Sequence, residues 1–387
     1  MISVSSMDKV LRSVYLDVVA KTLNDKTSAF YKKIQKNSTN VYGKEMIGTC
    51  TVGINGGFGS RDEEADLPKS GIPSVVSLKA PMRNIYGNLE ITDKLLRISE
   101  NGLTNAVDML NYEVETLLAA SRFNLRRMLM QDGRGVLANV NKESSSLNDV
   151  YVDDTRNFIE GMYVDLINED DEVSVASVRV TSVFHDAKRI ILERNLSQEE
   201  IDSAMCLTIA GSYEKEILGI PYIFSDDINT LYGNTKFLIN AILPQKMTCT
   251  EVSADTLQSV LDKLEEKCGS EPDMIISSFD MRRKYLASAR ESRLNVDFMT
   301  VDTGFKSVCY SNVPIYADGF APDKTMYFLN TDDFIMGQLG DWAWIEGTNH
   351  DILRPVHNKA AYNATLVKYC NLICTRPLGQ ARLILDA

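Results

Sequence analysis

Between Ser99 and Gln131 the apolar residues Leu103, Val107, Leu110, Val114, Leu117, Leu125 and Met128, with Ser121 in register, recur at steps of four and three. That spacing puts them on one face of an α-helix, since side chains four and three apart stack along a 3.6-residue turn. Ser99 caps the predicted helix and Glu100 sits near its positive end. Arg122, Arg126 and Arg127 sit toward its negative end, and Gly133 and Gly135 stop it. At 1.5 Å per residue it would run about 45–50 Å, well beyond the usual three turns. One apolar stripe on so long a helix predicts that it backs a sheet or a broad wall.

The flanking patterns differ. Residues from Ser5 to Lys36 carry helical spacing in Leu11, Val14, Val18 and Leu23, followed by a polar stretch from Lys36 to Asn40, which reads as an arm. From Thr51 to Asp93 the chain starts glycine-rich, continues through charged residues and Leu67-Pro68-Lys69-Ser70-Gly71-Ile72-Pro73, and leaves with Val75, Ser77 and Lys79 alternating. Little in it can form a core. Drawn out as a two-stranded hairpin of roughly 20 residues per arm, it reaches on the order of 60 Å. Such a ribbon is marginal in water on its own, so a second copy of the protein is the expected support.

From Asn157 to Tyr213 short strands are predicted at Met162–Ile167, Val173–Phe184, Arg189–Leu192 and Cys206–Ile209, with acidic or Asn-based turns. These read as a small β-barrel or sandwich. Beyond it, an amphipathic helix at Ala254–Lys267 precedes a strand at Asp273–Ser277 and a helix at Met281–Ala289. Strands follow at Val308–Ile315 and Met326–Leu329, and Thr365–Cys374 leads to the end. The class is α+β with a mixed sheet.

Composition narrows the function. The 387 residues, 44% hydrophobic and 24% charged, suit a folded chain of two or three units rather than a disordered one. With 41 Lys and Arg against 53 Asp and Glu, the net charge is −12, which argues against tight nucleic-acid binding. The longest apolar runs, such as Phe237–Leu243, are too short for a membrane helix. Asp8 and Lys9 interrupt the start where a signal peptide is apolar, so folding in a cytoplasm is expected.

Candidate chemistry is sparse. Three histidines, His185, His350 and His357, stand outside any HExxH-like frame. Gly53, Gly56, Gly57 and Gly59 fail as a phosphate cradle because Arg61-Asp62-Glu63-Glu64 follows, where a P-loop needs Lys-Ser or Lys-Thr before a helix. The run Glu169-Asp170-Asp171-Glu172 lies between predicted strands and reads as a solvated turn rather than a calcium site. Seven scattered cysteines make no disulfide framework, and Cys370 and Cys374, one helical turn apart if helical, lack the remaining ligands of a metal site. Trp342 and Trp344 read as cover for a core or interface rather than a sugar platform. No catalytic, cofactor-binding or metal residue is assigned.

Several phrases nonetheless occur in a telling order. Glu271-Pro272-Asp273-Met274-Ile275-Ile276-Ser277-Ser278 precedes Arg282-Arg283-Lys284-Tyr285-Leu286, then Val313-Pro314-Ile315-Tyr316-Ala317-Asp318. Thr325-Met326-Tyr327-Phe328-Leu329-Asn330-Thr331 and Leu339-Gly340-Asp341-Trp342 follow. With the hairpin and the lone long helix before them, they resemble the major capsid proteins of tailed phages, which have the Hong Kong 97-type (Johnson) fold. The resemblance covers nearly the whole chain. It implies an N-terminal arm over 1–50, an extended E-loop over 51–95, and a peripheral domain over 96–156 with a spine helix at 99–131. An inserted β-rich module over 157–215, a connection over 216–250, an axial domain over 251–345 and a return to the peripheral domain over 346–387 complete it.

The implied function is structural. Copies form pentamers and hexamers that close into an icosahedral head enclosing double-stranded DNA without binding it sequence-specifically, an acidic wall letting the polyanion pack. A separate scaffolding protein, a portal and a prohead protease are the implied partners, and the implied place is the virion, assembled in a bacterial cytoplasm. Expected inter-subunit contacts are Arg61, Asp62, Glu63, Glu64, Asp66 and Lys69 on the loop, with Arg126 or Arg127 as the basic surface that meets the acids on a neighbour. Reversing the charge of Glu63 and Glu64 is expected to abolish or misdirect assembly while leaving the monomer folded. Some such shells carry Lys–Asn crosslinks; Lys69 and Lys79 lie in the loop, but no partner motif matches. The alternatives are an encapsulin-like compartment of the same fold, an α+β enzyme for which no base and nucleophile are found, and a surface adhesin.

Overall fold

A computed structural model describes residues 28–53, 55–64, 66–72, 74–94, 104–225, 230–235, 242–291, 298–300, 306–347 and 351–386. The chain divides into two units, Arg127–Tyr222 and the remainder. The predicted arm helix from Ser5, the Ser99 cap, Glu100, Leu103, His350 and most of the run Phe237–Leu243 lie outside the described residues.

In the larger unit, the 14-residue strand Ala361–Cys374 organises a six-stranded sheet. It pairs along most of its length with Arg83–Thr92, and also with Phe334–Gln338, Ala343–Trp344 and Arg354–Pro355. The end of the arm completes the sheet. Ser28 Oγ accepts the Tyr31 N–H at 3.0 Å to cap the short helix Ala29–Lys33, and Gln35–Asn37 then pairs parallel with 335–337. Phe30 seats edge-on against Phe334 with ring centroids 5.2 Å apart.

The predicted long helix is present as Thr104–Leu129, 26 residues or about 39 Å. Val114, Leu118 and Leu125 are buried, and a Cβ on Gly87 of strand Arg83–Thr92 would stand 3.0 Å from Leu117 Cδ1. The small residue lets the stretch from Val114 to Leu125 lie close on the sheet, a wall of the kind that the stripe predicts.

A second, seven-stranded sheet runs in the order 245–249, 381–385, 325–329, 274–277, 313–317, 306–310, 298–300, mixing parallel and antiparallel pairs. Helices Ala254–Cys268 and Phe279–Glu291 cover it, burying Leu257, Val260, Leu264, Met281 and Tyr285 against Ile275, Ile315, Phe328 and Leu383. Ser253 caps the first helix, and Gly269, at φ 58°, ends it as a left-handed C-cap. The span 251–345 is therefore divided between two sheets. Residues 334–338 and 343–344 belong to the six-stranded sheet, and Ala381–Leu385 comes back to the seven-stranded one, because backbone pairing places them there.

Arg127–Tyr222 contains a closed barrel in the order 189–192, 149–152, 136–146, 204–209, 163–168, 173–184. Its interior is filled by Val152, Leu166, Val180, Ile190 and Leu207, among others. The β-rich region thus begins at Val136, not at 157. Its first strand, Val136–Ser146, is polar along Asn139, Asn141, Lys142, Glu143 and Ser144–Ser146 and carries no alternation to announce it. The acidic run is a turn, as expected: Asn168 Oδ1 accepts the N–H groups of Asp170 and Glu172 at 3.1 and 2.8 Å.

Candidate functional site

The expected 60 Å ribbon is much shorter. Glu45–Thr51 pairs with Val75–Pro81 from Glu45–Pro81 to Thr51–Val75, and none of the described residues from 52 to 74 is in a strand. Glycine and proline in that stretch supply neither side-chain packing nor, at Pro68, a ladder donor. The hairpin root, moreover, is supported by its own chain. Met46, Cys50, Val76, Leu78 and Ala80 are buried. A Cβ on Gly337 would lie 2.4 Å from Met46 Sδ, and one on Gly48 3.1 Å from Ile373 Cδ1, so two missing side chains admit the hairpin onto the sheet. The turn at Tyr232–Asn234 braces it: Lys79 N–H donates to Tyr232 O at 2.9 Å, and Asn234 Nδ2 donates to Ser77 O at 2.8 Å.

Beyond the root the loop closes its throat and then opens outward. Asn55 Oδ1 accepts the N–H groups of Gly57 and Gly71, both at 2.9 Å, stapling the two limbs. A Cβ on Gly71 would stand 2.6 Å from Gly56 N, and one on Gly57 2.9 Å from Lys69 O. The glycine cluster is therefore a close crossing of the two limbs' backbones. Phe58 and Leu67 within the stapled segment, and Ile72 just after it, are 98%, 87% and 92% exposed. Three large apolar side chains on one short loop are therefore left in solvent, where isolated subunits seldom keep them together. Sequence reading passed over them, because an apolar residue in a strand-free segment shows no period that reveals its burial.

The six charged residues expected as contacts on this loop, Arg61, Asp62, Glu63, Glu64, Asp66 and Lys69, are all exposed and make no ion pair within the chain among the described residues. The two arginines part company. Arg126 is partly exposed, its Nε donating to both carboxylate oxygens of Asp318 at 3.2 and 3.0 Å, with Phe320 stacked nearby. Arg127 is fully buried and grips Glu216 with two nitrogens, Nη1 at 2.9 Å from Oε2 and Nη2 on Oε1. It cannot meet a neighbour's acids, so it leaves the expected set. Gly219 crosses close by: a Cβ there would be 2.4 Å from the carbonyls of Met128 and Gln131.

His185 Nδ1 is 3.1 Å from Thr155 Oγ1, and His357 is exposed. Trp342 and Trp344 are buried, and Lys368, itself inaccessible, lies 5.5 Å from the Trp342 ring while donating to Gln338 and Asp341 at 2.9 Å. Cys370 and Cys374 stand on a strand, roughly 13 Å apart along it, and are not on successive helical turns. Burial pushes the Cys370 thiol up to about 11. Among the described residues no group of three or more His, Cys, Asp or Glu side chains is placed to hold a metal, and no helix is long and apolar enough to cross a membrane.

No protein-family model and no curated protein matches the sequence. Solved structures do match in fold. The chain superposes on the cyanophage A-1(L) capsid subunit with a TM-score of 0.54 at 10% identity, covering 91% of this chain and 90% of that one. Against the SrpI encapsulin of Synechococcus elongatus PCC 7942 the TM-score is 0.51 at 8% identity, covering 96% and 95%. Against the capsid of an empty GTA particle it is 0.50 at 8% identity, covering 94% and 91%. Over more than 90% of its length, then, the chain has the shell-subunit fold of phage capsids and encapsulins, the Hong Kong 97-type fold that its sequence phrases resemble.

Proposed function

We propose that this chain is the major capsid protein of a tailed phage, assembling as pentamers and hexamers into an icosahedral head around double-stranded DNA. The observation that carries the reading is the loop 52–74, which leaves Phe58, Leu67 and Ile72 uncovered on a subunit of shell fold. Burying one such side chain stabilises a contact by roughly 1.5–3 kcal/mol. A subunit held by several neighbours at once gains further through multivalency. In this reading the loop is the E-loop, Thr104–Leu129 the spine helix and the sheet around Ala361–Cys374 the peripheral domain. The seven-stranded sheet is then the axial domain, and the barrel an insertion. Asp62, Glu63, Glu64 and Asp66 set register against a basic neighbour surface that includes Arg126, since exposed ion pairs contribute specificity more than affinity. Scaffold, portal and protease partners, and assembly in the host cytoplasm, belong to the same reading.

A second reading, an encapsulin-like compartment, is favoured by the SrpI likeness over 96% of this chain. Electron microscopy of the full-length protein, alone and in its native host, tests both: closed shells, rings or tubes are expected, and a chain that stays a monodisperse monomer in both settings rejects both. Particles recovered from the native host then separate them, by nuclease-protected double-stranded DNA in the first case or a protein cargo in the second.

A further inference from the structure

Two chain crossings run side by side between the sheets of the larger unit. Thr325–Leu329 of the seven-stranded sheet passes through the turn Thr331–Asp333 into Phe334–Gln338 of the six-stranded one. Ala361–Cys374 returns through 375–380 into Ala381–Leu385. Any rotation of one sheet against the other has to be absorbed where the chain passes between them.

One residue ties the crossings together. The backbone carbonyl of Asp333 accepts from Thr375 N–H at 2.8 Å and Thr375 Oγ1 at 3.0 Å, and its Oδ2 accepts from Gln380 Nε2 at 2.8 Å. Gln380 Oε1 in turn accepts the Asn330 N–H at 2.9 Å, so each crossing holds the other. Gly379 closes the space: a Cβ there would lie 3.2 Å from Asp333 Oδ2 and 2.9 Å from Ser270 Oγ. We propose that the Asp333 carboxyl is a protonation-sensitive clasp between the two sheets, tight when neutral and looser when ionised.

The charges around it set the direction. Arg376, on the second crossing, favours the carboxylate, while Asp332 beside it and Asp273 oppose it. Asp273 is engaged by Thr331 N–H and Oγ1 at 2.9 and 2.6 Å and by Lys33. The thiols of Cys50, from the hairpin, and Cys374, from the long strand, face the same carboxyl. Burial outweighs Arg376 and pushes Asp333 up to about 6 from 3.8. An acid whose pKa is higher in the closed clasp binds a proton more tightly there, so closure is favoured as pH falls through about 6 and loses that support as pH rises past it. At low pH the neutral carboxyl still accepts from Gln380, without the cost of an ion in a poorly solvating site.

The clasp is internal to one subunit and stands apart from the assembly reading. Hydrogen exchange of the full-length chain, held in one assembly state and corrected for intrinsic rates, is compared at about pH 5 and about pH 7.5, on either side of the raised pKa. The Thr375 and Asn330 amides are expected to be protected about tenfold more at the lower pH, one pKa unit's worth. Asp333→Asn, neutral at both pH values, is expected to keep the higher protection throughout, and Asp332→Asn, which removes one of the charges that raise the Asp333 carboxyl, to show a smaller difference of the same sign. Flat protection in the wild type overturns the proposal, as does an Asp333→Asn protein that retains the full pH difference. A chain that never forms shells but shows this pattern rejects the proposed function and leaves the clasp standing.

Discussion

The loop 52–74 and the barrel within Arg127–Tyr222 solve opposite problems. The barrel turns Leu166, Val180, Ile190 and Leu207 inward until none is accessible, and spreads charge outside. Residues 127–222 hold eighteen Asp and Glu against nine Lys and Arg, so −9 of the chain's −12 lies there. The loop does the reverse: it has no strand pairing beyond Thr51–Val75 and leaves Phe58, Leu67 and Ile72 in solvent. One region is complete as a folded object, and the other, in the proposed reading, is completed by a neighbouring copy. Net charge and apolar content averaged over the chain conceal this division, which is why −12 says little about the surface that makes contacts.

The sharpest way to break the comparison is to make the loop soluble. Replacing Phe58, Leu67 and Ile72 together by Asp is expected to abolish assembly, removing roughly 4–9 kcal/mol from each loop contact, while the subunit's melting temperature stays within a few degrees. Sedimentation and thermal melting together check it, and intact shells from this variant would falsify the contact role of the loop. Next comes the barrel's neck. Glu216→Ala leaves the buried Arg127 guanidinium uncompensated, and a loss of roughly 3–5 kcal/mol is expected from denaturant unfolding. A change near zero would mean that water or another acid replaces Glu216. Within the barrel, Leu166→Ala is expected to cost roughly 2–5 kcal/mol through its cavity. If the barrel is complete in itself, exchange protection falls in residues 136–209 and stays unchanged in the loop root at 45–51 and 75–81.

How much of this was legible in the residues depended on how far away each partner lies. Val173–Phe184 and Arg189–Leu192 carry their own alternation, and Ala254–Cys268 has its own caps, so these elements stand where their local patterns put them. Val136–Ser146 is a strand because 149–152 and 204–209 pair with it, and its own polar residues say nothing of that. The hairpin root was missed because Gly48 and Gly337 make room for it, and a missing side chain leaves no apolar mark. Arg127 looked like a surface charge at a helix end. Its burial is decided by Glu216, 89 residues on, which no local window contains. Burial at the contact surface is hidden in the same way, since nothing near Phe58 in sequence tells whether another chain covers it.

The smallest expected effect lies at the throat of the loop. Asn55 Oδ1 holds Gly57 and Gly71 from opposite limbs, and all of these groups are close to solvent, so Asn55→Ala is expected to change unfolding stability by about 1 kcal/mol or less. The staple matters for what comes after it. With the limbs tied at Gly57 and Gly71, the segment that carries Phe58 and Leu67 has fixed ends, and part of its ordering cost is met before contact rather than during it. Releasing it is therefore expected to slow assembly severalfold, or raise the concentration needed, without changing the final architecture; light scattering during assembly measures the rate. An unchanged rate would mean that the loop is ordered by the surface it meets, and the staple would then be no more than a turn.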